Sequence, residues 1–368
     1  CRYRCRVDLD IAAHRCANCH SARNTNLALE PTISLELATA RLNHNWMARW
    51  MTNPQALRNH TRMPRLFGSA KSEQQAKQDV LTFLTQSDAN LPTPSSGEAE
   101  RGGRLWEDLG CIGCHTFSAS RQADDWNRTS LHMAATKFRI GGLGQFLSKP
   151  HRFNARSRMP DFRLTEAETR DLVALINRRS KGLLTSEPQS PPGNLDHGRR
   201  LFVSRGCRSC HGTGAKATAD PKPASRVPLA FGQATSAGCL AEKPSQAAGK
   251  RRVPEFGFTK QQRDDLAAFL AVPADLSPGK SPLELAGTVT RSLRCTACHD
   301  RDTTISPRRE IIADESDRGL LPSVLPNLTW SGEKLQTDWT SKLLSGRLKH
   351  PSRPWLKARM PSFGNWGD

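Results

Sequence analysis

Apolar positions along this chain fall into short clusters at helical spacing, separated by stretches rich in proline, glycine and serine. Val80, Leu81, Phe83 and Leu84 share one face of a segment running from Ser72 to Thr85, which predicts a helix. Thr165 with Glu168 three residues on reads as a capping box. It opens a second such helix, whose buried face is Leu172, Leu175 and Ile176. A third is expected from Thr259 to Ala271. His44 to Met51 reads as an amphipathic helix that stops before Pro54, and Val7 to Arg15 as a short one leading into Cys16. Proline- and serine-rich stretches follow the longer helices, at 91–97, 186–194 and 273–282. They divide the chain into four expected repeats, numbered one to four: 1–92, 97–182, 193–273 and 282–368. The last has no closing helix after Arg359-Met360-Pro361. The expectation is that the natural chain continues or that another subunit completes this unit.

Composition sharpens the picture. Only 36% of the 368 residues are hydrophobic, which is little for four independent cores of this size. Each small core therefore calls for a large apolar group at its centre. One tyrosine against 26 glycines and 24 prolines fits short helices joined by irregular loops, not sheets. The formal charge of +19 suits an acidic protein partner or an anionic lipid surface. Nucleic acid is not expected, because the basic residues are scattered and no binding motif accompanies them. No run of apolar residues is long enough to span a membrane.

Four pentapeptides supply the missing apolar group. Cys16-Ala17-Asn18-Cys19-His20, Cys111-Ile112-Gly113-Cys114-His115, Cys207-Arg208-Ser209-Cys210-His211 and Cys295-Thr296-Ala297-Cys298-His299 all read Cys-x-x-Cys-His. That is the attachment signature of a c-type haem. Two thiols on one turn reach the two vinyl groups along one edge of the porphyrin, and the next residue brings an imidazole under the iron. Paired cysteines also serve zinc sites and disulfides, but neither needs a histidine after every second cysteine. Four haems would offset about eight positive charges through their propionates, leaving the surface basic. Cys1, Cys5 and Cys239 remain outside the motifs. Cys1 opens the alternative of a lipidated start, and Cys1 with Cys5 that of a disulfide.

The second axial ligand is nominated by a register. Pro54, Pro150 and Pro351 each stand nine residues before a methionine, and Met63, Met159 and Met360 each sit in Arg-Met-Pro. Methionine opposite histidine is the usual ligation of electron-transfer haems. Arg62, Arg158, Arg252 and Arg359 precede this position, where a guanidinium could fork onto a propionate or remain a solvated surface charge. The third length keeps the register and loses the ligand: Pro244 stands nine residues before Val253. The haem on His211 is thus expected to be five-coordinate or to take an unusual ligand, with Cys239, Lys243 and Lys250 as candidates. The remaining histidines are read as surface or loop residues.

With Cys-x-x-Cys-His after a short helix, Met-Pro further on and then a closing helix, each length resembles a class I c-type cytochrome domain. Tandem units of this kind are similar to the cytochrome domains of planctomycete-type multihaem proteins. The resemblance implies an all-α fold of four tandem domains, each wrapped around one covalently bound haem c, with the closing helix packed on the opening one. It implies His20, His115, His211 and His299 as proximal ligands and electron transfer as the role. The expected protein is a tetrahaem carrier outside the cytoplasm, in the periplasm or on the outer membrane face. It would exchange electrons with an acidic redox protein or with other subunits of a redox complex. The alternative is a haem enzyme, or a gas or peroxide sensor, using the open iron of the third haem.

Overall fold

The computed structural model describes residues 11, 14, 16–21, 33–58, 61–86, 91, 95–119, 126–154, 157–182, 192–212, 227–228, 236–243, 253–271, 281–308, 325–349, 354 and 358–364. The expected helix over 7–15 lies mostly outside these residues, as do Cys1, Cys5, Pro244, Lys250, Arg252 and Pro351. The longer helices are α1 (His44–Thr52), α2 (Lys71–Thr85), α3 (Ala99–Asp108), α4 (Glu166–Arg179), α5 (Leu195–Ser204), α6 (Lys260–Leu270), α7 (Pro282–Leu293) and α8 (Thr337–Leu344). Sheet among the described residues is confined to two-residue parallel pairings, from β1 (His20–Ser21) and β2 (Ile33–Ser34) to β3 (His115–Thr116), β4 (Thr129–Ser130), β5 (His211–Gly212) and β6 (Val227–Pro228).

The helices start where the sequence caps them. Thr165 accepts from the Glu168 N–H while the Glu168 carboxylate accepts from the Thr165 N–H, so α4 opens on a complete capping box. Thr259 and Gln262 do the same for α6. Asn43 accepts from the N–H groups of Asn45 and Trp46 at the head of α1.

The chain divides into two compact units, and neither is a contiguous half. Unit 1 comprises 1–89 and 185–288, and unit 2 comprises 90–184 and 289–368. Repeats one and three therefore fold together, as do repeat two and residues 289–368 of repeat four.

In unit 2, repeat two closes on itself. α3 crosses α4 so tightly that a Cβ on Gly102 would lie 2.1 Å from the Asp171 carbonyl oxygen. Only glycine permits that approach. Asp171, buried within α4, accepts from the Glu98 N–H at 2.7 Å and from Arg101 Nε at 2.8 Å, tying down the start of α3. Trp106, Leu109, Leu172, Leu175 and Ile176 form the core between the two helices. Within the same repeat β3 pairs with β4. Repeat four joins through a two-bond bridge between Asp161 and Ser362, at 2.8 and 2.9 Å.

Unit 1 uses the same contacts between different repeats. α2 of repeat one is crossed by α5 of repeat three. A Cβ on Gly198 would lie 2.0 Å from the Asp79 carbonyl oxygen. Asp79 accepts from the Asn194 N–H at 2.8 Å and meets His197 Nδ1 at 2.6 Å, as Asp171 holds the start of α3. Phe83 packs on Phe202 with ring centroids 5.6 Å apart. β2 pairs with β5, again joining repeat one to repeat three. The reciprocal half follows: β1 pairs with β6, and Ile11 and Cys16 pack with Leu240, Phe258 and Leu266. The resemblance implied that each closing helix covers the opening helix of its own repeat. That holds in repeat two, whereas repeats one and three exchange halves.

Candidate haem centres

All four Cys-x-x-Cys-His motifs sit on a tight turn. Cys16–Cys19 is a single α-helical turn, and Cys111–Gly113, Cys207–Ser209 and Cys295–Ala297 are 3-10 turns. The last three are entered by a residue in the left-handed region: Gly110 at φ 72°, Gly206 at φ 77° and Arg294 at φ 59°. Glycine adopts this conformation freely, and an arginine there costs about 1 kcal/mol. The Arg294 guanidinium is placed by that geometry. It donates to the Trp126 carbonyl at 2.8 Å, the Cys114 carbonyl at 3.4 Å and the Gly113 carbonyl at 3.5 Å.

The turns meet in pairs, and always at the residue just before the second cysteine. In unit 1, Asn18 Nδ2 donates to the Ser209 carbonyl at 2.8 Å. In unit 2, a Cβ on Gly113 would lie 2.5 Å from the Ala297 carbonyl oxygen, so the two turns touch backbone to backbone. Cysteines of different repeats are close enough to influence one another. Burial, then Cys298 and Cys114, push the Cys111 thiol up to about 12. Burial, then Cys114, push Cys298 up to about 11, and burial alone dominates at Cys207, pushed up to about 12. Among the described residues no three His, Cys, Asp or Glu side chains gather as a metal-ion site.

The residues fit a covalently held haem. His115 Nδ1 donates to the Thr129 carbonyl at 3.3 Å and His299 Nδ1 to the Pro326 carbonyl at 2.8 Å. A carbonyl only accepts, so Nδ1 carries the proton and Nε2 is left bare for iron. Met159 packs on the core cluster that also holds Cys111 and Trp106. Met63 receives a hydrogen bond from Trp50 Nε1 at 2.7 Å, which fixes its thioether and leaves a second sulfur lone pair for a metal. Met360 lies in the bridged loop beside Ser362. Met47 and Met51 are buried on α1 and serve as core.

The arginines divide. Arg359 Nη2 pairs with the Glu168 carboxylate. Crowding by the surrounding chain, then by the guanidinium of Arg294, lowers the pKa of Arg158, although part of its side chain reaches solvent. Arg62 is exposed. Several contributors carried no sequence signal. Arg308 is 2% exposed, with Nη1 donating to the Glu107 carbonyl and Nε without a partner, beside Cys298. Arg205 forks onto Glu73 with two bonds of 2.7 Å and also donates to the Leu66 carbonyl at 2.8 Å. His197, expected as a surface residue, is exposed and meets the buried Asp79 through Nδ1.

A family model described as cytochrome c matches residues 195–272. No curated protein and no solved structure matches the chain. The matched stretch is repeat three, whose two halves the fold distributes between both halves of unit 1. The match supports a haem-binding electron-transfer protein, helical in fold, with covalently bound haem. No helix among the described residues is long and apolar enough to cross a membrane.

Proposed function

We propose that this chain is a tetrahaem c-type cytochrome that carries electrons between redox partners outside the cytoplasm, with its haems arranged as two close pairs. The observation that carries the reading is the meeting of Cys-x-x-Cys-His turns, Asn18 on Ser209 in one unit and Gly113 on Ala297 in the other. Haem supplies reversible one-electron chemistry when bound, and the protein supplies attachment, ligands and spacing. Cys16 and Cys19, Cys111 and Cys114, Cys207 and Cys210, and Cys295 and Cys298 hold the four groups. His20, His115, His211 and His299 ligate from the proximal side. Met63, Met159 and Met360 ligate three irons from the distal side. Arg158 answers a propionate.

Turns that touch place the thioether edges of two haems side by side, so an electron entering either haem of a pair is shared rapidly with the other. The +19 formal charge recruits an acidic redox protein and speeds its approach. Attachment of haem c takes place on the outer side of the cytoplasmic membrane, which supports a place outside the cytoplasm.

The test is to purify the protein from a host with haem-attachment machinery, count covalent haems by mass, and titrate the redox spectrum. Four haems that survive denaturation and cycle between oxidised and reduced states are expected. Fewer than four, or haem lost on denaturation, would overturn the reading.

A further inference from the structure

The exchange in unit 1 changes which iron goes without methionine. This inference rests on the haem reading above. We infer that Met63, although it lies in repeat one, is the distal ligand of the haem attached at Cys207 and Cys210, and that the haem attached at Cys16 and Cys19 faces Val253.

Repeat two shows which elements surround one haem. The opening helix α3, the turn at Cys111, the β3–β4 pairing, the Met159 loop and α4 form one body around one core. In unit 1 the equivalent body is drawn from two repeats. α5, the turn at Cys207 and β5 come from repeat three, and β2, the Met63 loop and α2 from repeat one. Arg205, at the end of α5, grips Glu73 of α2 and the Leu66 carbonyl three residues past Met63, which seals the Met63 loop to the turn that carries His211.

The complementary body holds the turn at Cys16, β1, β6, the Val253 loop and α6. Cys16 packs with Phe256, Phe258 and Leu266, and Cys239 lies near Cys19. Two residues past each distal position the loops bridge one another, Arg65 to Glu255. Linear order along the sequence had assigned Val253 to His211. The fold assigns it to His20.

The test uses the full-length holoprotein. Cys16→Ala with Cys19→Ala removes the first haem, and Cys207→Ala with Cys210→Ala removes the third. The first readout is the red charge-transfer band of methionine-ligated ferric haem. It keeps its full intensity when the first haem is removed and falls by one third when the third is removed. The second readout is the spectral change of the reduced protein with carbon monoxide. A response equal to one haem is present in the parent, absent without the first haem and retained without the third. The opposite pattern in the charge-transfer band would overturn the assignment. Should either variant fail to mature, an iron-edge anomalous map from crystals of the unmodified holoprotein decides. It is expected to place Met63 Sδ against the iron of the Cys207 haem, and Met63 Sδ at the Cys16 haem would overturn the inference. A parent protein without covalent haem would instead refute the underlying haem reading.

Discussion

Units 1 and 2 use the same contacts with different connections. In unit 2 the glycine crossing, the buried aspartate and the two-residue ladder all join segments of repeat two. In unit 1 the same three devices join repeat one to repeat three. The comparison teaches that the local rules of this fold specify a complementary face and not which repeat supplies it. Loop closure costs grow only slowly with length, so a partner a hundred residues away is nearly as accessible as a near one. Specific contacts must then choose. Arg205 with Glu73 is such a contact. In unit 2 the residue at the end of α3 in the same register is Leu109, which is buried in the core.

The largest effect is expected at the helix crossings. Gly198→Val and Gly102→Val each push a side chain into a backbone carbonyl about 2 Å away. Overpacking of this kind costs about 3 kcal/mol or more, because neither helix backbone yields as a flexible side chain would. Thermal melts followed by circular dichroism should show Gly198→Val lowering the melting temperature of unit 1, and Gly102→Val that of unit 2. Equal loss from both units in each variant would break the comparison.

Next comes Arg205→Met. It leaves Glu73 partly buried without its fork and should destabilise unit 1 by about 2 kcal/mol, with no effect on unit 2. Denaturant titration with haem absorbance as the probe would read the difference.

Asp79→Asn and Asp171→Asn sharpen the comparison through pH. Burial pushes the Asp79 carboxyl up, but hydrogen bonds from the Asn194 N–H, His197 and Gln75 outweigh it and hold the group low. Asp171 is held low first by Arg101, against burial, with help from the Glu98 N–H. Both folded pKa values lie below the unfolded value of about 3.9, so the stabilisation is present above that pH and is lost as pH falls through the folded values. Each Asn variant should lose about 1–3 kcal/mol at neutral pH and show a flatter acid-unfolding curve below pH about 4. Differing acid sensitivity of the two units would mean the two aspartates are not equivalent.

The smallest effect concerns potential. Arg308 is a buried cation beside the paired turns of unit 2. Its charge opposes the positive charge of ferric iron and favours reduction. Arg308→Gln should lower a reduction potential in unit 2 by about 30–60 mV, up to a tenfold change in a one-electron equilibrium. Spectroelectrochemistry would measure it, and a rise in potential would contradict the electrostatic account.

Much of the local structure was legible in the sequence. Thr165 with Glu168 announced α4, the apolar face at 80–84 announced α2, and the four pentapeptides announced the attachment turns. The pairing of repeats was not legible, because Gly198, Leu201 and Phe202 on α5 echo Gly102, Leu105 and Trp106 on α3. Either helix presents a face that either closing helix accepts, so periodicity carries no partner information. A weak signal was present in the aspartates Asp79, Asp171 and Asp265, one in the middle of each closing helix and each buried. Asp171 and Asp79 sit where α3 and α5 begin, accepting from the Glu98 and Asn194 N–H groups. Arg308 escaped notice because one arginine among 54 basic residues has no pattern.

Oxidative trapping of the α2–α5 contact tests the account's central claim most directly. Asp79→Cys combined with His197→Cys replaces side chains whose polar atoms lie 2.6 Å apart in unit 1. Asp171→Cys combined with Arg101→Cys is the matched pair in unit 2. Peptide mass spectrometry without reduction should find a disulfide joining repeat one to repeat three in the first variant and one within repeat two in the second. A free thiol at position 79 under conditions that close the control would mean that repeats one and three do not exchange halves.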